Sequence, residues 1–172
     1  MLIKFADVLQ GSGPVHLHER MDIAPLLKDY KEILSAEPLN VDVQAKNMAG
    51  VIDVQGLLRT EMKLVCSRCL THFVERLNLP FHEVFSPVEK KGEFAEEGEN
   101  GEEIHYVGDD KVDLKPYVEE TLLLGIPYIP LCKEACKGLC PICGRDRNVE
   151  ECGCKQERID PRWADLEDFF KS

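Results

Sequence analysis

The residues with the most chemistry in this chain are its eight cysteines. Cys140 and Cys143, in the run Leu-Cys-Pro-Ile-Cys-Gly over 139–144, stand three positions apart. At that spacing two thiolates chelate one ion from a tight turn, and Gly144 lets the backbone wrap around the sulfurs. One CxxC pair serves metal binding and dithiol redox work equally well. Cys152 and Cys154 follow shortly after, so Cys140, Cys143, Cys152 and Cys154 make a compact four-thiolate set suited to the tetrahedral demand of structural zinc. Cys66 and Cys69, in Cys-Ser-Arg-Cys, and Cys132 and Cys136, in Cys-Lys-Glu-Ala-Cys, could close a second tetrahedron. Such a site staples distant parts of a chain and substitutes for a larger core. Spacing alone leaves exchange of partners between the two sets open. The expectation is one or two zinc ions per chain, two if each set closes on itself.

Other chemistries fit less well. A thiol oxidoreductase places its CxxC at a helix start after a strand, whereas Cys66–Cys69 lies between two strand-like runs and Cys140–Cys143 lies in a turn-rich segment. The spacing also departs from a ferredoxin-type CxxCxxCxxxC run. His16, His18, His72, His82 and His105 are scattered, and no GxSxG, HExxH or GxxxxGK motif accompanies them. A four-thiolate site leaves no coordination position for water, so neither enzymatic activity nor a small-molecule substrate is expected.

Charge narrows the partners. With 32 acidic and 21 basic residues the net charge is −11, which excludes a broadly basic nucleic-acid coat. Residues 89–110 hold nine acidic and two basic residues with few apolar ones, and are expected to be an acidic mobile loop. By contrast residues 131–162 carry seven basic and six acidic residues. Within that segment Lys137, Arg145, Arg147 and Lys155 are the candidates for RNA contact, through phosphate or base stacking. The competing reading is that these cations offset thiolate charge and solvate a surface. The N-terminal stretch shows no signal-peptide pattern and no apolar run reaches about 18 residues, so a cytoplasmic location and no membrane association are expected. In that reducing compartment clustered cysteines favour metal over disulfides.

Several elements must position these thiols. Leu39, Val41, Val43 and Ala45 alternate with polar residues, a turn follows over 47–50, and alternation resumes with Ile52, Val54, Leu58, Met62, Leu64 and Cys66 on one face. Gly56 suggests a bend or bulge. Phe73, Leu77, Leu79, Phe81 and Phe85 share a face in a third run, so 39–86 read as an antiparallel meander with Cys66 and Cys69 at a strand junction. Leu26, Leu27, Tyr30, Ile33 and Leu34 recur at helical spacing between Pro25 and Pro38. Asp113 is placed to cap a helix bearing Leu114, Tyr117, Val118, Thr121 and Leu122 and ending at Gly125. A last amphipathic helix would carry Trp163, Leu166 and Phe170. The fold class expected is α+β: an antiparallel β-meander with flanking helices and a C-terminal zinc-knuckle segment. Its divisions are 1–88, mainly antiparallel β with a short helix; 89–110, the acidic loop; and 111–172, a helix and zinc-knuckle segment packed on the β domain.

The order of these pieces resembles the bacterial YceD family, the large ribosomal RNA subunit accumulation proteins. The carrying motifs are VCSRCL at 65–70 with strands on both sides, DLKPYVEETLLLGIPYIPLC, CKGLCPICGRDRN, the CGC at 152–154 and DPRWADLEDF, which together span roughly residues 39–170. Where the family usually continues CGxxLN after its knuckle, this chain has CGRDRN, which keeps the thiols and changes the polarity beside them. The resemblance implies a role in accumulation of large-subunit ribosomal RNA and in ribosome biogenesis. The partner is then that RNA, its precursor, or a ribosomal assembly protein. A zinc-stabilised adaptor that binds such a protein without touching RNA is the alternative.

Overall fold

Strict alternation of apolar and polar residues produces the three long strands that dominate the molecule. A computed structural model describes residues 1–11, 13–87, 96–97 and 103–154, and for 96, 97 and 103 only the backbone. In chain order the elements are β1 (Leu2–Lys4), α1 (Phe5–Leu9), β2 (Val15–Met21), β3 (Ile33–Ala36), β4 (Leu39–Met48), β5 (Val51–Val65) and β6 (His72–Pro87). They are followed by β7 (Glu96–Glu97), β8 (Glu103–Val107), β9 (Lys111–Asp113) and α2 (Lys115–Gly125). Strands β4, β5 and β6 form the antiparallel meander, and their alternate residues Leu39, Val41, Val43, Ala45, Ile52, Val54, Leu58, Met62 and Leu64 are buried together. Ala49 and Gly50, both at positive φ, make the two-residue turn between β4 and β5 that the twist of a hairpin favours.

The sheet is mixed rather than a pure meander. Its seven strands run in the order β2-β4-β5-β6-β8-β7, with β3 pairing separately against β5. Strand β8 lies parallel to β6, pairing Val84 to Pro87 with Ile104 to Val107, so part of the expected acidic loop is built into the sheet. Ile104, Tyr106 and Val107 give that stretch the apolar content which the rest of 89–110 lacks. Its remaining expected loop residues, 89–95 and 98–102, lie outside the described residues, as do Lys155 and the expected helix with Trp163, Leu166 and Phe170.

Two further expectations are corrected. Residues 26–34 do not form a helix: consecutive turns, Leu27 N–H to Ile23 O and Tyr30 N–H to Leu27 O, lead into β3. A helix of that length is marginal alone. The lower half of β5 extends beyond its partner β4, and Ile33–Ala36 fill that edge by pairing with Met62 to Leu64. Gly56 marks no bulge, because the register of β5 is unbroken against both β4 and β6. A Cβ there would collide with the backbone of Asp42 and Val43, so glycine serves close strand approach.

Helix α2 covers the sheet through Val118 and Leu122; its N-cap is Leu114, and Asp113, one residue earlier than a cap, accepts the N–H of the first helical residue, Lys115, through Oδ1 at 3.0 Å. Phe85, His105 and Tyr117 stack beneath it with ring centroids 4.7–5.5 Å apart. The β1–β9 pair ties the N-terminal strand to the start of α2. Among the described residues no helix is long and apolar enough to cross a membrane.

Candidate metal centres

The first group of thiols begins where β5 ends. Cys66 N–H bonds to Thr71 O at 2.9 Å and Leu70 N–H to Cys66 O at 2.9 Å, closing a tight knuckle between β5 and β6 in which Leu70 takes φ +59°. The second begins with the same local geometry. Cys140 N–H bonds to Arg145 O at 2.8 Å, Gly144 N–H to Cys140 O at 2.8 Å, and Gly144 takes φ +72°. Leu139 and Asp146 bridge at its base as Val65 and His72 do at the base of the first. The two CxxC loops are therefore copies of one hairpin device, a relation hidden in the sequence because Leu70 stands where Gly144 would be expected.

The knuckles dock on each other through the backbone. Leu139 N–H bonds to Arg68 O at 3.0 Å, Arg68 Nη1 donates to Cys136 O at 3.0 Å, and Ser67 N–H bonds to Pro130 O at 2.9 Å. Gly138, at φ +70°, fits tightly against Arg68, where a Cβ would approach its carbonyl oxygen to 2.9 Å. This docking carries Cys132 and Cys136 to Cys66 and Cys69, across 63 to 70 residues of sequence.

The eight thiols fall into two groups, Cys66, Cys69, Cys132 and Cys136, and Cys140, Cys143, Cys152 and Cys154, with all four sulfurs of each group within 4.8 Å of one another. In the first, Cys66 Sγ lies 3.8 Å from Cys136 Sγ, and Cys69 Sγ lies 3.6 Å from Cys132 Sγ. Zinc–sulfur bonds of about 2.3 Å in a regular tetrahedron set the sulfurs about 3.8 Å apart, whereas a disulfide holds them near 2.05 Å. The donor set and its spacing therefore fit a four-coordinate thiophilic ion. Three of the first group are buried, packed beside Phe73, Leu131 and Leu139. In the second group Cys140 is buried, Cys143 is exposed, and Cys152 and Cys154 are half-buried.

The field around the sulfurs favours partial ionisation. Burial pushes the Cys66 thiol up, but backbone hydrogen bonds from Cys132, Cys69 and Arg68 outweigh it and lower the pKa from 9.0 to about 6. Backbone hydrogen bonds from Cys143 and Ile142 bring Cys140 to about 6. Cys132 is pushed up to about 12 by burial and by its sulfur neighbours, and Cys154 to about 12 chiefly by its contact with Cys143. Each group thus sets thiols lowered by hydrogen-bond donors beside thiols raised by burial and by neighbouring sulfurs. Cys136 feels burial upward, yet is lowered on balance by the side-chain hydrogen bond from Asn148.

Asn148 is a supporting residue that the cysteine pattern does not reveal. Its Nδ2 lies 3.4 Å from Cys136 Sγ and 2.7 Å from Asp146 Oδ1, while its Oδ1 accepts the Lys137 N–H at 2.9 Å. One amide side chain thereby orients a sulfur of the first group from the loop that follows the second knuckle. Of the candidate RNA contacts, Lys137 Nζ sits 3.3 Å from Glu151 Oε1 and Arg145 Nη1 sits 3.2 Å from Glu150 Oε1. Arg147 lines a small hollow with Cys140, Ile142, Cys152 and Cys154.

A family model described as Large ribosomal RNA subunit accumulation protein YceD matches residues 54–170, a span that includes both thiol groups. The chain belongs to the YceD family. This YceD chain is similar to an uncharacterized protein of Mycobacterium tuberculosis, 33% identical over 129 residues that cover 74% of this chain and 60% of the relative. It is also similar to the uncharacterized Bacillus subtilis protein YlbN, 30% identical over 158 residues, covering 89% of this chain and 86% of YlbN. A third relative is the Large ribosomal RNA subunit accumulation protein YCED homolog 1, chloroplastic, of Arabidopsis thaliana, 26% identical over 162 residues, with 81% of this chain and 50% of the relative covered. The YceD chain spans about 60% of the length of the mycobacterial relatives. No solved structure matches it.

Proposed function

We propose that this chain is a non-enzymatic, zinc-stabilised cytoplasmic factor that supports accumulation of large-subunit ribosomal RNA. The observation that carries the structural half is the closure of both thiol groups by protein sulfur alone: four donors each, spaced for a tetrahedron, fill the ion's coordination and leave no position for substrate or water. Cys66, Cys69, Cys132 and Cys136 hold one ion, and Cys140, Cys143, Cys152 and Cys154 the other. Family membership supports the rRNA half. Two zinc ions per chain in protein purified without chelator, together with reduced large-subunit rRNA on depletion, are the expected results. Unchanged precursor and mature rRNA levels would sink the rRNA role, and metal-free or brown, iron-bearing protein would sink the zinc role.

A second reading, an adaptor that binds a ribosomal protein or assembly factor without RNA contact, draws on two observations. Lys137 and Arg145 are each matched by a glutamate, and Leu124 in the last turn of α2, with Tyr128 and Ile129 just after it, exposes apolar surface. Capture of a protein partner that survives nuclease treatment favours it.

A further inference from the structure

We propose that the solvent face of the large sheet is a binding surface for single-stranded RNA, centred on Arg20, Asn40, Arg59 and Asn78. This rests on the rRNA reading above and names where contact occurs. The strand register places the four residues in one line: Arg20 opposes Asn40, Asn40 opposes Arg59, and Arg59 opposes Asn78, across β2, β4, β5 and β6. Directly opposed residues share a face, and all four are exposed. With strands about 4.8 Å apart, the backbone positions of the two arginines stand roughly 10 Å from each other, with an asparagine between them.

The row differs from the knuckle cations in its charge balance. It contains no acid, in a chain of net charge −11. Among the described residues Arg59 has no carboxylate within ion-pair distance, and Arg20 reaches Glu37 only at 3.9 Å, between two exposed side chains. A surface pair of that kind costs little to open. Lys137 and Arg145, by contrast, are already paired at 3.2–3.3 Å. Beside the row Arg76 pairs with Glu61 at 3.2 Å, and a groove of about 310 Å³ follows the break between β3 and β4, where Arg20, Arg59 and Arg76 meet the two acids Glu37 and Glu61. The next row on the same face is His18, Asp42, Leu57 and Pro80, with Asp42 its one acid, and beyond it His16, Gln44, Gln55 and His82 follow, the last two within hydrogen-bond reach of Asp53.

These side chains share a planar, hydrogen-bonding head. Guanidinium groups take phosphate bidentately and stack on bases, and amides between them pair with base edges or the 2′-OH. Unstacked single strands offer all three partners, whereas an A-form duplex hides its base edges from such a surface. A row of alternating guanidinium and amide heads therefore fits a single strand laid across β2 to β6.

The test uses the full chain loaded with zinc and a short labelled single-stranded RNA from the large-subunit rRNA precursor, titrated by fluorescence anisotropy at several salt concentrations. Arg20→Ala and Arg59→Ala are each expected to weaken binding about tenfold and to flatten the salt slope by about 0.7 per lost phosphate contact. Arg59→Lys should keep the slope, and Lys137→Ala and Arg145→Ala should leave affinity and slope unchanged. Zinc content and thermal midpoint of each variant confirm that the fold is retained. Loss of binding in the knuckle variants alone, full affinity in both row variants, or no salt-dependent binding by the wild-type chain each overturns the surface. If wild type fails to bind RNA while depletion still lowers large-subunit rRNA, the function stands and only the surface falls.

Discussion

Leu70 occupies a backbone conformation that belongs to glycine. Its φ of +59° is set by the Leu70 N–H to Cys66 O bond that closes the first knuckle, and the side chain is 61% exposed, so little packing offsets the strain. A left-handed non-glycine residue costs about 1–2 kcal/mol, while introducing glycine loses about 0.4–1 kcal/mol through the unfolded chain. Leu70→Gly is therefore expected to stabilise the protein by roughly 0.5–1 kcal/mol, from the difference of these terms. Gly144→Ala, at φ +72° in the matching position, should destabilise it. Thermal midpoints measured side by side check the pair, and a fall in both variants would show that the two knuckles are not equivalent devices.

At the start of helix α2 the Asp113 carboxylate accepts the Lys115 N–H and pairs with the Met1 ammonium at 3.2 Å. The Lys115 backbone N–H donated to Asp113 holds that carboxyl below its ordinary value of 3.8. With the folded pKa depressed, the contribution to stability is present above the unfolded value and disappears as pH falls through the folded one. Asp113→Ala should thus lower the thermal midpoint at neutral pH, by about 1 kcal/mol for the lost charged hydrogen bond and ion pair, and the gap from wild type should close as pH falls below 3.8. A gap that persists at lower pH would assign the loss to packing. The start of α2 beside Asp113 was readable in the sequence because it is local, as were β4, β5 and β6, whose alternation directly reports one buried face. The rest depended on distant partners. Ile33–Ala36 show helical spacing, yet they follow the open edge of β5, and β8 pairs parallel to β6 across a long connection. The cysteine spacing marked the thiols as ligands in waiting, but only folding places Cys132 and Cys136 beside Cys66 and Cys69, and nothing local distinguished Asn148.

At the scale of the whole molecule the two thiol groups do different work. The group containing Cys66 ties the end of the sheet to the segment after α2, whereas Cys140, Cys143, Cys152 and Cys154 close one local loop. Structural zinc contributes on the order of 10–16 kcal/mol to small zinc-dependent folds, comparable with the 5–15 kcal/mol that stabilises an entire domain. The sheet nevertheless has its own core, formed by β4, β5, β6 and α2, that excludes both groups. Exposure orders metal loss, since Cys143 is open to solvent while Cys66, Cys69 and Cys136 are buried. Graded chelation of the zinc-loaded chain is therefore expected to release two ions in two phases. The first should raise proteolysis only around 140–154, and the second should free the segment from 126 onward while strand amides of the sheet stay protected from hydrogen exchange. Release of both ions in one step, accompanied by loss of protection across β4 to β6, would mean that sheet and centres form a single cooperative unit.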